Sequence, residues 1–129
     1  YAPTVVDEFL IGKRASPELR QAILKRLYEM GLETFADRHP ASLSGGQKQR
    51  LLLALAAESG RKLMVFDEPT SGLDGYNMRL TVKLFRQLSA EGKCLLLITH
   101  DMDIAQLADR IVCIEDGKIR KGSDEDAEK

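Results

Sequence analysis

The apolar residues predict three helices, because in two segments they recur every three or four positions, which favours one buried face, and in a third they form a continuous run. The three predicted helices span about 17–30, 44–58 and 75–90. The first begins at Ser16-Pro17, a capping hydroxyl before a proline, and Gly31 ends it. The second is apolar on most sides over 51–57, so we expect it to be deeply packed. Two shorter helices are predicted, at about 33–38 and at 101–108.

Short apolar runs alternate with these helices. Leu63–Phe66 and Cys94–Thr99 are predicted to be buried strands of a parallel sheet, and 111–115 with 118–121 to form a hairpin around Asp116-Gly117. Strands that alternate with helices predict an α/β fold. A parallel sheet of these strands alone would expose an unpaired edge and an apolar face, so we expect the isolated chain to be marginally stable or to associate through that face.

Composition restricts the class of protein. The 129 residues allow one domain, and 43% hydrophobic with 30% charged residues is ordinary for a globular chain. The net charge of −1 gives no basic surface for nucleic acid, and no apolar run approaches the roughly 20 residues of a membrane span. Cys94 and Cys113 lie in apolar runs, so we expect buried free thiols, with a disulfide as the alternative. We interpret the start at Tyr1, without Met, as a cut from a longer chain.

Two short strings place polar groups where a helix begins or a strand ends. Ser44-Gly45-Gly46 stands at a helix N-terminus, where free N–H groups and the dipole favour an anion. Asp67 and Glu68 follow a strand, where ligands gather in open α/β sheets, and adjacent strand residues point to opposite faces, which favours separate roles. Each string also has a plainer interpretation, a flexible capped helix for the first and an exposed acidic turn for the second.

Two further strings follow in the same order. Asp74, in Ser71-Gly72-Leu73-Asp74, precedes the third predicted helix and is also a plausible N-cap. His100 follows the second predicted strand, 33 residues after Asp67, and a lone histidine there is more often a structural one. We assign no function to His39, and the few scattered histidines and cysteines do not predict a zinc site.

Taken in order, the motifs resemble those of an ATP-binding-cassette (ABC) ATPase from residue 1 to 122. They are the signature motif at 43–47, the Walker B strand at 63–68, the loop at 71–74 and the histidine at 99–101. The Gly-x-x-x-x-Gly-Lys-Ser/Thr phosphate loop (Walker A) is missing, since Gly12-Lys13-Arg14 lacks the upstream glycine and the hydroxyl. The chain therefore resembles the C-terminal half of a nucleotide-binding domain, a P-loop NTPase-like parallel-sheet core with a helical subdomain and a C-terminal β-hairpin.

The resemblance implies a role for each motif. Ser44, Gly45, Gly46 and Gln47 would contact a nucleotide held by an opposite protomer. Asp74, counted with the same nucleotide site, would contact the opposite phosphate loop and help couple the two sites. Asp67 would bind Mg²⁺, usually through water, and Glu68 would orient and polarise the attacking water. His100 would hydrogen-bond the γ-phosphate of ATP, with its other ring nitrogen held by the backbone.

The resemblance also implies a function and partners. The protein would bind and hydrolyse ATP with Mg²⁺ to drive solute transport, with a second nucleotide-binding domain and a transmembrane subunit as partners and no nucleic acid. It would lie in the cytoplasm, against the inner face of the membrane. The chain alone would be inactive because it lacks the phosphate loop. The alternative is a non-hydrolysing partner module that donates its signature motif to a nucleotide site elsewhere.

The resemblance further suggests subdivisions and a branch of the family. A helical subdomain with the signature helix would span about 9–58, a part from Walker B to the hairpin 62–122, and an acidic tail 123–129. Ser71-Gly72, where translation-factor relatives usually show Asn-His, resembles a transporter cassette. The opening 1–8 is similar to energy-coupling-factor ATPases, which drive vitamin or metal-ion import.

Overall fold

The computed structural model describes residues 2–120, so the predicted tail at 123–129 lies outside the described residues. The α-helices are α1 (Val5–Leu10), α2 (Pro17–Glu29), α3 (Gly45–Ala57), α4 (Gly75–Ala90) and α5 (Met102–Ala105). Short 3₁₀ turns lie at Glu33–Phe35 and Pro40–Ser42. The strands are β1 (Leu63–Asp67), β2 (Cys94–Ile98), β3 (Ile114–Glu115) and β4 (Lys118–Ile119). The three long predicted helices are thus confirmed, whereas the two shorter ones are reduced to a 3₁₀ turn and to the four-residue α5.

The described residues form two compact units, one with 2–65 and 70–96 and the other with 66–69 and 97–120. In the first unit, fully buried apolar side chains from several helices form the core. They include Val5, Ile23, Leu27, Leu84 and Leu88. Helix α1 was not predicted. It is capped by Thr4 and held by hydrogen bonds from Val5 N to Arg38 O and from Val6 N to Ala36 O, which are non-local contacts.

Strands β1 and β2 pair with each other and run parallel. At their start Cys94 N donates to Lys62 O at 2.7 Å, and at their end Glu68 N donates to Ile98 O at 2.7 Å. The prediction that both strands are buried is wrong, because only Met64 and Phe66 of β1 are buried and no residue of β2 is. One face of the sheet is open. Its apolar side chains are at least half exposed: Leu63, Val65, Leu96 and Ile98. An exposed apolar face is what a parallel sheet of these strands alone was expected to show, because no described layer covers it.

The two cysteines are also more exposed than predicted. Both are free, as predicted, but Cys94 is exposed and Cys113 is only half-buried, so the prediction of buried thiols is wrong. Cys94 begins β2, a strand whose expected second covering layer is absent from the described residues. A strand-like apolar run therefore did not determine burial here.

The described part of the second unit ends in a small hairpin. Strands β3 and β4 pair antiparallel with Ile114 opposite Ile119. Asp116 (φ 51°) and Gly117 (φ 74°) both take left-handed backbone angles, as a tight two-residue hairpin requires. The predicted Asp-Gly turn is confirmed, although the strands are shorter than predicted.

Candidate functional site

The N-terminal end of α3, called here the α3 tip (residues 44–47), is closed by a reciprocal pair of hydrogen bonds. Gln47 N donates to Ser44 Oγ at 3.3 Å, and Ser44 N donates to Gln47 Oε1 at 2.9 Å. The first bond of the helix ladder runs from Lys48 N to Ser44 O at 2.8 Å. The N–H groups of Gly45 and Gly46 therefore precede the ladder and point out of the helix end, where an anion is favoured.

Neither glycine of the α3 tip is needed for packing inside the described chain. A Cβ built on Gly45 would meet nothing within 4 Å, and one on Gly46 would meet only Asn77 Nδ2, at 3.6 Å. Neither glycine has a positive φ. Glycine in a helix costs about 0.5–1 kcal/mol relative to alanine. The two glycines therefore lower the stability of this helix end, although no contact in the described chain requires them. The absence of side chains leaves the backbone open to close approach by another molecule.

Asp74 caps the next helix. Asn77 N donates to Asp74 Oδ1 at 2.8 Å, so the plainer interpretation of this aspartate as an N-cap of α4 is confirmed. The loop before it turns at Gly72, whose φ of 71° is left-handed. Because Gly46 of α3 adjoins Asn77 of α4, the structure brings the signature motif and the start of α4 to the same end of the first unit.

The other predicted site residues lie in the second unit. Asp67 ends β1 and is exposed. Glu68 continues the pairing with Ile98 for one more hydrogen bond, and its backbone then turns with φ 47°. A non-glycine residue in this region costs about 1–3 kcal/mol, and such strain is concentrated at functional sites. The sharp turn carries the Glu68 side chain away from the line of the strand.

Glu68 and His100 form an acid–histidine pair. His100 Nδ1 lies 2.8 Å from Glu68 Oε1, and an ionised carboxylate only accepts, so Nδ1 donates. The expectation that the backbone holds this ring is therefore wrong for Nδ1, which a carboxylate holds. The hydrogen bond with Glu68 and the charge of Glu68 raise the pKa of His100, with a smaller contribution from Asp101, and slight desolvation opposes them. This contact was not predicted, because Glu68 and His100 were expected to have separate roles.

Arg50 was also missed. Only 7% of its surface is exposed, its Nη1 donates to Met30 O at 2.9 Å, and its guanidinium lies 6.0 Å from the centre of the Tyr76 ring. It thereby joins α3 to the end of α2 and to α4. A lone arginine before an apolar helical run was the available signal, since a charge on a packed helix needs partners.

The chain is similar in sequence to known ATP-binding proteins. A family model described as "ABC transporter" matches residues 3–71. The macrolide export ATP-binding/permease protein MacB of Haemophilus ducreyi is 44% identical over 115 residues, which are 89% of this chain and 15% of MacB. An ABC transporter ATP-binding protein of Methanopyrus kandleri is 44% identical over 134 residues, covering 96% of this chain and 49% of that protein. The chain thus spans about half or less of the length of these relatives.

A solved structure shows the same fold. The dimeric, post-hydrolysis structure of the ATP-binding cassette MJ0796 bound to ADP and Pi has a TM-score of 0.76 and 29% sequence identity, over 93% of this chain and 56% of that chain. Within residues 2–120, no helix has the length and apolar character needed to cross a membrane. Since the family model covers 69 of the 129 residues, the chain belongs to the ABC transporter family, in which it corresponds to the C-terminal part of the ATPase domain.

Proposed function

We propose that this chain supplies the water-activating and phosphate-sensing half of an ATP-hydrolysing nucleotide-binding domain, whose phosphate loop comes from residues that precede it in the complete protein. The acid–histidine pair carries this proposal. Two titratable side chains, Glu68 and His100, stand after neighbouring parallel strands and touch at 2.8 Å, at a place where the backbone is strained. Hydrolysis would drive solute transport through a transmembrane subunit, at the cytoplasmic face of the membrane.

The geometry of the pair supports different roles for the two carboxylate oxygens of Glu68. Oε1 of Glu68 is engaged by His100, which leaves Oε2 to accept a hydrogen bond from a water and to take its proton. This hydrogen bond from the His100 ring holds the carboxylate of Glu68 in one orientation. Asp67, exposed at the end of β1, fits an ion that keeps most of its waters, and Mg²⁺ would supply neutralisation of the phosphate charge there.

The α3 tip would act on a nucleotide held by a second domain. The N–H groups of Gly45 and Gly46, with Ser44 and Gln47 closing the cap, favour an anion at the helix end by about 0.3–1 kcal/mol, up to about 2 when partly buried. That is too little to hold ATP, so the phosphates need a second set of contacts. The MJ0796 cassette is dimeric and bound to ADP and Pi, which supports a paired arrangement. Asp74, beside the α3 tip, would contact the opposite phosphate loop.

The exposed sheet face supports the proposal that a preceding half of the domain packs on this chain. Leu63, Val65 and Leu96 present apolar surface on this face, and parallel sheets are normally covered on both faces. The chain also spans 49% of the Methanopyrus relative, which leaves enough length for such a half. The similarity of the opening residues to energy-coupling-factor ATPases stays a prediction.

The test is hydrolysis by the complete cassette. Glu68→Gln should lower the Mg²⁺-dependent rate about 10²-fold or more, because the amide cannot take the proton. Glu115→Gln, on the exposed β3 strand, is the matched control and should keep the rate. A folded cassette that binds ATP and does not hydrolyse it would exclude the proposal. The alternative, a non-hydrolysing module, predicts that only an added hydrolytic partner domain shows turnover, and that Glu68→Gln leaves that turnover unchanged.

A further inference from the structure

A single guanidinium joins the C-terminal ends of three helices in the first unit. Arg26, near the end of α2, faces three carboxylates with three different nitrogens. Nε lies 2.7 Å from Glu58 Oε1, Nη1 3.1 Å from Glu29 Oε2, and Nη2 3.8 Å from Glu91 Oε1. Only 11% of the Arg26 side chain is exposed, and the side chains of Glu29 and Glu58 are mostly buried, so these two ion pairs are screened less than surface pairs. Glu91 is half exposed, so its pair is the weakest of the three. We call these four residues the Arg26 cluster.

Each acid of the Arg26 cluster lies at the C-terminal end of its helix, where the helix dipole disfavours a negative charge. Glu29 is the last residue of α2, Glu58 is the C-cap of α3 and Glu91 is the C-cap of α4. The C-terminal end of a helix is the negative end of its dipole, which favours cations. Three carboxylates at three such ends would repel one another without a cation among them. Lys13 Nζ donates to Glu58 O at 2.9 Å, which adds a second cation to α3.

Helices α3 and α4 run side by side in the same direction. At their N-terminal ends Gly46 adjoins Asn77, and at their C-terminal ends Glu58 and Glu91 share Arg26. The direction of a helix is fixed by two anchored points. For α3 one is Arg50, which donates to Met30 O, and the other is Glu58. These points are eight residues apart, about 12 Å of helix, so a slip of about 2 Å at Glu58 tilts the helix by about 10°.

We propose that Arg26 is a positioning residue for the α3 tip. By holding the far end of α3 against α2 and α4, it sets the direction in which Gly45 and Gly46 present their N–H groups. This inference rests on the proposed function, because the α3 tip acts there on the phosphates of a second domain. Arg26 would therefore affect turnover, which needs the aligned tip, and not the initial capture of ATP by a phosphate loop in the same domain.

The test uses the complete cassette with three variants. Arg26→Gln leaves the Glu58 carboxylate without its closest cation, so it lowers both the thermal stability and the rate of ATP hydrolysis. The double variant Arg26→Gln/Glu58→Gln also removes the negative charge that Arg26 had neutralised. Arg26→Lys keeps the positive charge but cannot direct separate N–H groups to the three carboxylates. Arg20→Gln is the matched control, since Arg20 lies on the same helix in an exposed pair 4.0 Å from Asp37. Turnover and hydrogen exchange of the amides at 48–51, the first ladder bonds of α3, are measured for each.

In the double variant we expect recovered thermal stability, a kcat about tenfold lower with a KM for ATP within about twofold, and faster exchange at 48–51. Arg26→Lys should fall between wild type and the double variant. If the double variant regains both the wild-type rate and the wild-type exchange, Arg26 only neutralises Glu58 and the inference is wrong. Equal exchange in all variants would also overturn it. A wild-type cassette without turnover would contradict the proposed function alone, because the exchange measurement needs no ATP.

Discussion

Replacing Gly45 by alanine separates the stability of the α3 tip from its function. Gly45 is the first residue of α3, and a Cβ there would meet nothing within 4 Å. Gly75 is its counterpart at the first position of α4, where a Cβ would lie 3.5 Å from Arg79 Nη1, an ordinary contact. Neither glycine has a positive φ. Alanine at either position should therefore keep the free energy of unfolding or raise it by up to about 1 kcal/mol.

The two variants should differ in ATP turnover. A methyl group on residue 45 would lie beside two N–H groups that precede the helix ladder. It would keep an approaching phosphate too far from these N–H groups for hydrogen bonds to form. Loss of one such donor to a developing anion costs about 10²–10³-fold in rate, so we expect Gly45→Ala to lose about 10²-fold. Gly75→Ala should keep most of the wild-type rate, because it adds its methyl to a helix that Asp74 already caps.

The assay pairs thermal unfolding with steady-state ATP hydrolysis of the complete cassette. Stability unchanged or raised in both variants, with turnover lost only in Gly45→Ala, is the expected result. A Gly45→Ala cassette that hydrolyses ATP at the wild-type rate would refute the reasoning, since the side-chain-free helix end would then serve no ligand. Equal loss in both variants would refute it as well.

Two further predictions follow from the backbone and from the acid–histidine pair. Gly31→Ala should cost about 2 kcal/mol or more and Gly60→Ala about 1 kcal/mol, measured by denaturant unfolding. Both glycines have left-handed φ, and only at Gly31 would a Cβ come within 3.0 Å of side-chain atoms. The raised pKa of His100 means that its pairing with Glu68 stabilises the fold fully below the usual value of about 6.5, and that this contribution disappears as the pH rises through the raised pKa. NMR titration of the ring protons should show the pKa of His100 falling in Glu68→Gln, and an unchanged value would contradict the pairing.

Local signals were sufficient to predict the long helices. Ser16, Ser44 and Asp74 each cap the helix that follows, and these caps depend only on residues three positions away. Helix α1 has a cap of the same kind at Thr4, but its six residues are too few for a periodic signal. Strand burial was predicted wrongly because it depends on a second layer, which no local pattern reports.

The candidate site was predicted in part for the same reason. The acids after β1 and the histidine after β2 could be placed at strand ends from sequence. Their contact could not, because it depends on the register of two strands and on the turn at Glu68, where φ is 47°. Adjacent residues on a strand point apart, but Glu68 has already left the strand, so the rule used to separate the roles of the acids did not apply to it.

The distribution of charge gives an independent reason to expect direct phosphate contact at the α3 tip and cation-assisted contact beside Asp67 and Glu68. The described residues of the first unit contain 14 Lys or Arg and 9 Asp or Glu, a formal charge of +5, and those of the second contain 3 and 7, a charge of −4. The α3 tip belongs to the cationic unit, where a polyanion is attracted. Asp67 and Glu68 belong to the acidic unit, where a phosphate is repelled unless a cation comes with it. His100 is a single positive charge at most, so a nucleotide brought to Glu68 needs a divalent ion as well, and turnover should therefore depend steeply on Mg²⁺.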